Sequence, residues 1–117
     1  MRITIGGCRN FNDYAIFKEF VEECLSKIKD SEIVILSGHC SGTDLMAERF
    51  AAEKGYQTEI YPAQWDKYGK GAGPKRNKEM VEKCDLVLAF WDSKSRGTKN
   101  LVEMARKLKK SLAIKNI

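Results

Sequence analysis

The chain has 117 residues, 43% of them hydrophobic and 32% charged, with two prolines, four cysteines and a formal net charge of +5. That length suits one domain around a single core, and the hydrophobic fraction with dispersed charge excludes a disordered chain. The longest apolar runs are strand-length and Met1-Arg2-Ile3 carries no secretion signal, so the expectation is a cytoplasmic protein with no membrane contact.

Strand-like apolar runs alternate with helical patterns. The first strand is I-T-I at 3–5, ending in Gly6-Gly7. Asn12 or Asp13 can then cap a helix in which Phe17, Phe20, Val21, Cys24, Leu25 and Ile28 share one face. A second strand covers 33–36. The second helix starts near Gly42 and stops at Gly55, which suits the residue following a helix end. The third strand, 57–61, is closed by Pro62. A long connection at 62–73 contains Gly69, Gly71 and Gly73, and Pro74 fits the first turn of a third helix with Met80 and Val81 facing the core. Residues 86–90 are apolar throughout, as in a strand covered on both faces. A fourth helix from about Thr98 to Lys110 leads to a short strand at 112–114.

This alternation predicts an α/β fold, a Rossmann-like three-layer α/β/α sandwich spanning 1–117. Its five-stranded parallel sheet has the expected order 3-2-1-4-5. Ligands in such sheets sit at the carboxyl ends of the strands, where the order reverses between strands one and four. The chemically unusual residues fall at those ends: G-G-C-R-N-F-N-D (6–13), S-G-H-C-S-G-T-D (37–44), P-A-Q-W with the glycine-rich loop after it, and W-D-S-K-S-R-G-T (91–98). Packing alone does not require that clustering.

The 37–44 stretch lacks G-K-[ST], so it is not a Walker loop, and Gly38 and Gly42 are too far apart for G-x-G-x-x-G. Two readings remain: an anion cradle at a helix N-terminus, with Ser41 or Thr43 as hydroxyl donor, or a turn needing glycine for its backbone angles. Arg96-Gly97-Thr98 repeats the arrangement, and the pair of turns favours a phosphate-bearing ligand. Arg9 and Arg76 are candidate anion clamps or surface ion-pair formers. Asp13 and Asp44 suit helix caps or first-turn charges, with a ribose hydroxyl as the alternative for Asp44. Trp65 and Tyr68 can stack a base or pin the long loop. His39, Cys40 and Cys8 lack a fourth donor of clear zinc spacing, so no metal is assigned. The cysteines form no C-x-x-C pair, and a disulfide scaffold is not expected.

Charge is uneven. From Lys94 to Ile117 eight bases face one acid, giving +7 and leaving −2 for the first 93 residues. A basic patch suits phosphate or nucleic acid, whereas lysines at a helix end also suit the dipole.

Taken together, G-C-R-N-F-N-D-Y (7–14), S-G-H-C-S-G-T-D-L-M-A-E-R (37–49), P-A-Q-W-D-K-Y-G-K-G-A-G-P-K-R-N-K-E-M (62–80) and A-F-W-D-S-K-S-R-G-T (89–98) resemble the YspA/cpYpsA-related branch of the SLOG superfamily. That branch is similar to lonely-guy-type phosphoribohydrolases and to DprA/Smf. The resemblance spans about residues 3–115, and W-x-x-x-G-x-x-A-G-x-x-R-N is its most specific part. It implies a Rossmann-like fold binding nucleotides or nucleotide-derived ligands, often in dimers, with Gly7, Arg9, Gly38, Gly42, Asp44, Gly73, Arg76, Asn77, Gly97 and Thr98 on the pattern. Phosphoribohydrolases carry P-G-G-x-G-T-x-x-E; here the glutamate position is Leu101, and Glu103 lies roughly 200° further around the helix. Three functions are therefore expected in order: nucleotide-ligand binding for sensing or processing, N-glycosidic hydrolysis of a nucleoside phosphate, and DprA-like single-stranded nucleic acid binding. Candidate ligand residues are those on the pattern together with Thr43 and Trp65. No further cofactor is assigned.

Overall fold

A computed structural model describes residues 1–29 and 32–117. Five strands form one parallel sheet: β1 (Arg2–Gly7), β2 (Val34–Ser37), β3 (Gln57–Ile60), β4 (Leu86–Trp91) and β5 (Ser111–Asn116), in the order β3-β2-β1-β4-β5. The α/β class and the strand order match the expectation from alternation. Helices α1 (Tyr14–Ser26) and α2 (Thr43–Lys54) cover one face. Helices α4 (Ala72–Lys83) and α5 (Arg96–Lys107) cover the other. A four-residue helix, α3 (Trp65–Tyr68), and a 3-10 turn (Gly69–Gly71) occupy the connection read from sequence as irregular.

Each sheet face has its own apolar layer, because alternate residues of a strand point to opposite sides. Ile3, Ile5, Ile35, Leu88 and Phe90 meet Phe17, Val21, Ala47, Phe50 and Ala51 on the α1/α2 side. Leu36 and Val87 meet Met80, Val81, Cys84, Leu101 and Ala105 on the other. Phe90 anchors the first layer: its ring stacks on Phe17 with centroids 4.9 Å apart and on Phe11 at 5.5 Å.

Several boundaries differ from the sequence reading, each for a local reason. Asp13, rather than Asn12, caps α1, its Oδ1 accepting the Ile16 N–H at 3.2 Å. The fourth long helix starts two residues early because Ser95 caps it, its Oγ accepting the Thr98 N–H. It stops before Lys110 because Lys109 takes a left-handed backbone, φ 57°. The glycine pair does not form a turn after the first strand. Gly6 and Gly7 continue β1, paired with Ala89 and Phe90.

The lack of a side chain at Gly7 lets three elements meet. A Cβ there would lie 2.8 Å from Phe90 Cβ and 2.9 Å from Thr43 Oγ1, and would strike the Phe90 carbonyl oxygen. Gly7→Ala is therefore expected to destabilise the fold by about 2–3 kcal/mol through forced separation of β1, β4 and α2. Urea denaturation of the two proteins checks this, with a shift in midpoint expected at unchanged slope.

Candidate functional site

Helices leave β1 and β4 on opposite faces of the sheet, and the crevice between the two strand ends holds a cavity of about 570 Å³. The β1 end contributes Gly6 to Asn10, and α4 contributes Gly73, Arg76, Asn77 and Met80. The start of α5 and the turn before it bring Asp92, Ser95, Arg96, Gly97, Thr98 and Leu101. Trp65 and Lys70 form the outer rim, and only Cys40 and Asp44 come from the 37–44 stretch.

Of the residues singled out from sequence, Gly7, Arg9, Asp44, Trp65, Gly73, Arg76, Asn77, Gly97 and Thr98 share this cavity. Gly38, Gly42 and Thr43 stand behind its wall. In the turn that reads as an anion cradle, several donors are taken by the chain itself. Thr43 N–H and Thr43 Oγ1 both donate to the Cys8 carbonyl, at 3.3 and 2.9 Å, and Ser41 Oγ donates to the Arg9 carbonyl at 3.2 Å. Cys40 N–H donates to Asp44 Oδ2 at 3.2 Å, and His39 N–H to Ser37 Oγ at the same distance. Gly42 takes φ 73°, and a Cβ on it would sit 2.6 Å from the Arg9 carbonyl carbon. The Cys8 carbonyl thus takes the first N–H of α2, while those of Asp44 and Leu45 have no acceptor among the described residues. The positive φ and the close approach of residues 8 and 9 give Gly42 a structural role in this turn.

The N-terminus of α5 behaves differently. Ser95 accepts the N–H groups of Thr98 and Lys99, while those of Arg96 and Gly97 have no acceptor among the described residues. A Cβ on Gly97 would meet nothing within 4 Å, so this corner is open. Asp92 orders the turn before it, its Oδ1 accepting Lys94 and Ser95 N–H at 2.8 Å each; those bonds hold the carboxyl below the usual range. Asn77 ties the two helices together, donating to Asn100 Oδ1 at 3.0 Å and to the Gly97 carbonyl at 3.3 Å.

The arginines have unequal freedom. Arg76 donates to the Gly38 carbonyl at 2.8 Å, to the Tyr61 carbonyl at 3.4 Å and to Asn77 Oδ1 at 3.0 Å, and its two terminal nitrogens each lie 3.9 Å from Cys40 Sγ. Arg9 is exposed, with its guanidinium carbon 5.7 Å from the Trp65 ring centre. Trp65 is 46% exposed, and its far edge would lie 3.3 Å from a Cβ on Gly73. It both braces the loop and offers a ring to the cavity.

Cys8 is buried against Thr98 Oγ1 at 3.9 Å, and burial pushes its thiol up. His39 turns to Glu48, with Nδ1 2.9 Å from Oε2, at a left-handed φ of 61°. Ser37 Oγ lies 2.9 Å from the same carboxylate oxygen. Glu48 thus organises the bend at His39, a role that no spacing announced. Lys70 in the 3-10 turn and Asn100 in α5 are further lining residues that no motif marked.

Asp44 is 6% exposed. Burial pushes its carboxyl up to about 6; the Cys40 N–H and the charges of Arg76 and Arg9 oppose the rise, and Glu48 adds to it. An unfolded aspartate ionises near 3.8, so between about pH 4 and 6 the folded chain holds a proton that the unfolded chain has released. Stability from this group therefore falls as pH rises through that window, and above it the ionised form carries the full penalty. Two pH units at ~1.4 kcal/mol each set the scale at about 3 kcal/mol. Asp44→Asn keeps an acceptor for Cys40 and is expected to exceed the parent in stability by up to about 3 kcal/mol near pH 7.5, with the gap closing below about pH 4. Urea unfolding at both pH values measures it.

Among the described residues no helix is long and apolar enough to cross a membrane. Comparison with known proteins brings two matches. The model of the YspA, cpYpsA-related SLOG family matches residues 1–68. Gene 61 protein of Mycobacterium phage D29 is 31% identical over 112 residues, covering 91% of this chain and 89% of the relative. The matched family segment contains β1, the 37–44 turn and the start of the α3 rim, which are the parts that shape one side of the cavity. The chain belongs to the YspA, cpYpsA-related SLOG family.

Proposed function

We propose that the chain binds a nucleotide or nucleotide-derived phosphate ligand in the cavity between the ends of β1 and β4, as a sensing or processing module. One observation carries this reading: the open N-terminus of α5 shares a cavity with four basic side chains, Arg9, Lys70, Arg76 and Arg96, and with the half-exposed ring of Trp65. Unpaired N–H groups at a helix start favour a phosphate, and guanidinium groups strengthen its hold. An indole at the opposite rim offers a stacking face for a base. The volume, about 570 Å³, lies in the range of small-molecule sites. Membership of the SLOG family supports the same class of ligand.

Binding is favoured over N-glycosidic hydrolysis because the place of the phosphoribohydrolase glutamate is taken by Leu101, a buried apolar side chain lining the cavity. A second reading, single-stranded nucleic acid across the rim, draws on Tyr68: it is 38% exposed, with Lys67 and Lys75 ammonium groups 5.2 and 4.8 Å from its ring centre. Retardation of a labelled oligonucleotide that weakens steeply with salt would be its signature.

Calorimetric titration with nucleoside mono- and diphosphates, dinucleotides and ADP-ribose tests the first reading. Binding by the parent protein is expected, with Arg96→Ala and Arg9→Ala each weakened about tenfold, or ~1.4 kcal/mol. Silence across the panel, or unchanged affinity in both variants, overturns it.

A further inference from the structure

Asp44 brings a half-satisfied carboxyl to the cavity. Oδ2 accepts the Cys40 N–H, whereas Oδ1 has no donor among the described residues. No wholly buried side-chain oxygen or nitrogen among those residues lacks a partner, so Oδ1 retains access to the open space that Asp44 lines. Gly6 creates that space. A Cβ on Gly6 would stand 3.6 Å from Oδ1 and 2.8 Å from Leu101 Cδ2, so any larger residue would fill the recess beside the carboxyl. Met80 and Leu101 give the recess apolar walls.

We infer that this recess is the sugar subsite of the ligand, that Asp44 Oδ1 accepts a hydrogen bond from a ribose hydroxyl, and that the site thereby prefers ribonucleotides to their deoxy counterparts. The inference rests on the nucleotide reading above. An ionised carboxylate only accepts hydrogen bonds, and it repels a phosphate brought alongside it. The group seated there must present a donor to Oδ1 and carbon–hydrogen surface to Leu101 and Met80. A pentose does both. Charged groups around the carboxyl come from three elements: Arg9 from the loop after β1, Arg76 from α4 and Glu48 from α2 itself. At pH 7.5 the carboxyl is largely ionised even with its raised pKa, so it is in the accepting form. A ligand lacking the hydroxyl would bury Oδ1 without a partner, and sites built around a substrate hydroxyl discriminate strongly on that ground.

The experiment compares the four ribonucleoside 5′-monophosphates with their 2′-deoxy and 3′-deoxy analogues by calorimetry at pH 7.5. Parent protein, Asp44→Ala and the isosteric Asp44→Asn are titrated, the last guarding against a fold defect in the alanine variant. The expected result is a loss of about tenfold or more in affinity on removing one of the two hydroxyls, shrinking to about twofold or less in Asp44→Ala and reduced in Asp44→Asn. Equal affinity for ribo and both deoxy forms overturns the sugar subsite while leaving nucleotide binding intact. A full preference surviving in both variants overturns the role of Asp44. Absence of binding by every nucleotide overturns this inference together with the reading beneath it.

Discussion

The close meeting of backbones at the end of β1 governs the rest of the molecule. Gly7 and Gly42 lack side chains where β1, β4 and the start of α2 converge, and residues on three elements would collide with any Cβ placed there. Because the strands approach so closely, the Cys8 carbonyl can take two hydrogen bonds from Thr43 and bind the α2 start to the β1 exit. Phe90 supports the junction from below through its stack with Phe17 and Phe11. The cavity is the space left on the α4/α5 side of that junction.

The two helix starts are capped differently: Gly42 gives α2 no side-chain cap, whereas Ser95 caps α5. At the α2 start the Thr43 N–H and hydroxyl both go to the Cys8 carbonyl, and the N–H groups of Asp44 and Leu45 have no acceptor among the described residues. The α5 start turns toward the cavity with two N–H groups uncommitted. Charge is unevenly placed: Arg9, Lys70, Arg76 and Arg96 border the cavity, while Asp44 stands beside Gly6 and Leu101. An elongated ligand with an anionic end and a hydroxylated middle matches that polarity better than a compact anion does.

The strand order was legible because apolar runs and helical spacing alternate without interruption, and the reversal point of such a sheet is where the cavity lies. Asp44, Arg9 and Trp65 were legible as unusual residues at strand ends. The fate of the 37–44 donors was not, since it depends on β1 continuing through Gly7 and on Gly42 reaching residues 8 and 9, a contact between distant parts of the chain. Glu48 escaped notice for the same reason, being an ordinary helix acid until His39 bends back to it. The early start of α5 did have a signal: Ser95 three residues ahead of Thr98 is a standard capping arrangement.

The Asn77 bridge divides the cavity into parts with different compliance. By joining α4 to Asn100 and to the Gly97 carbonyl, it ties the floor of the cavity to the start of α5. Among the described residues, the rim formed by α3 and the 3-10 turn makes no side-chain hydrogen bond to α4 or α5 and buries none of its own side chains. Displacing the rim forfeits little packing, whereas displacing the floor would break hydrogen bonds in a buried layer. For a ligand of the proposed kind, this puts the compliant part of the site at the Trp65 rim and the rigid part at the Asn77 floor.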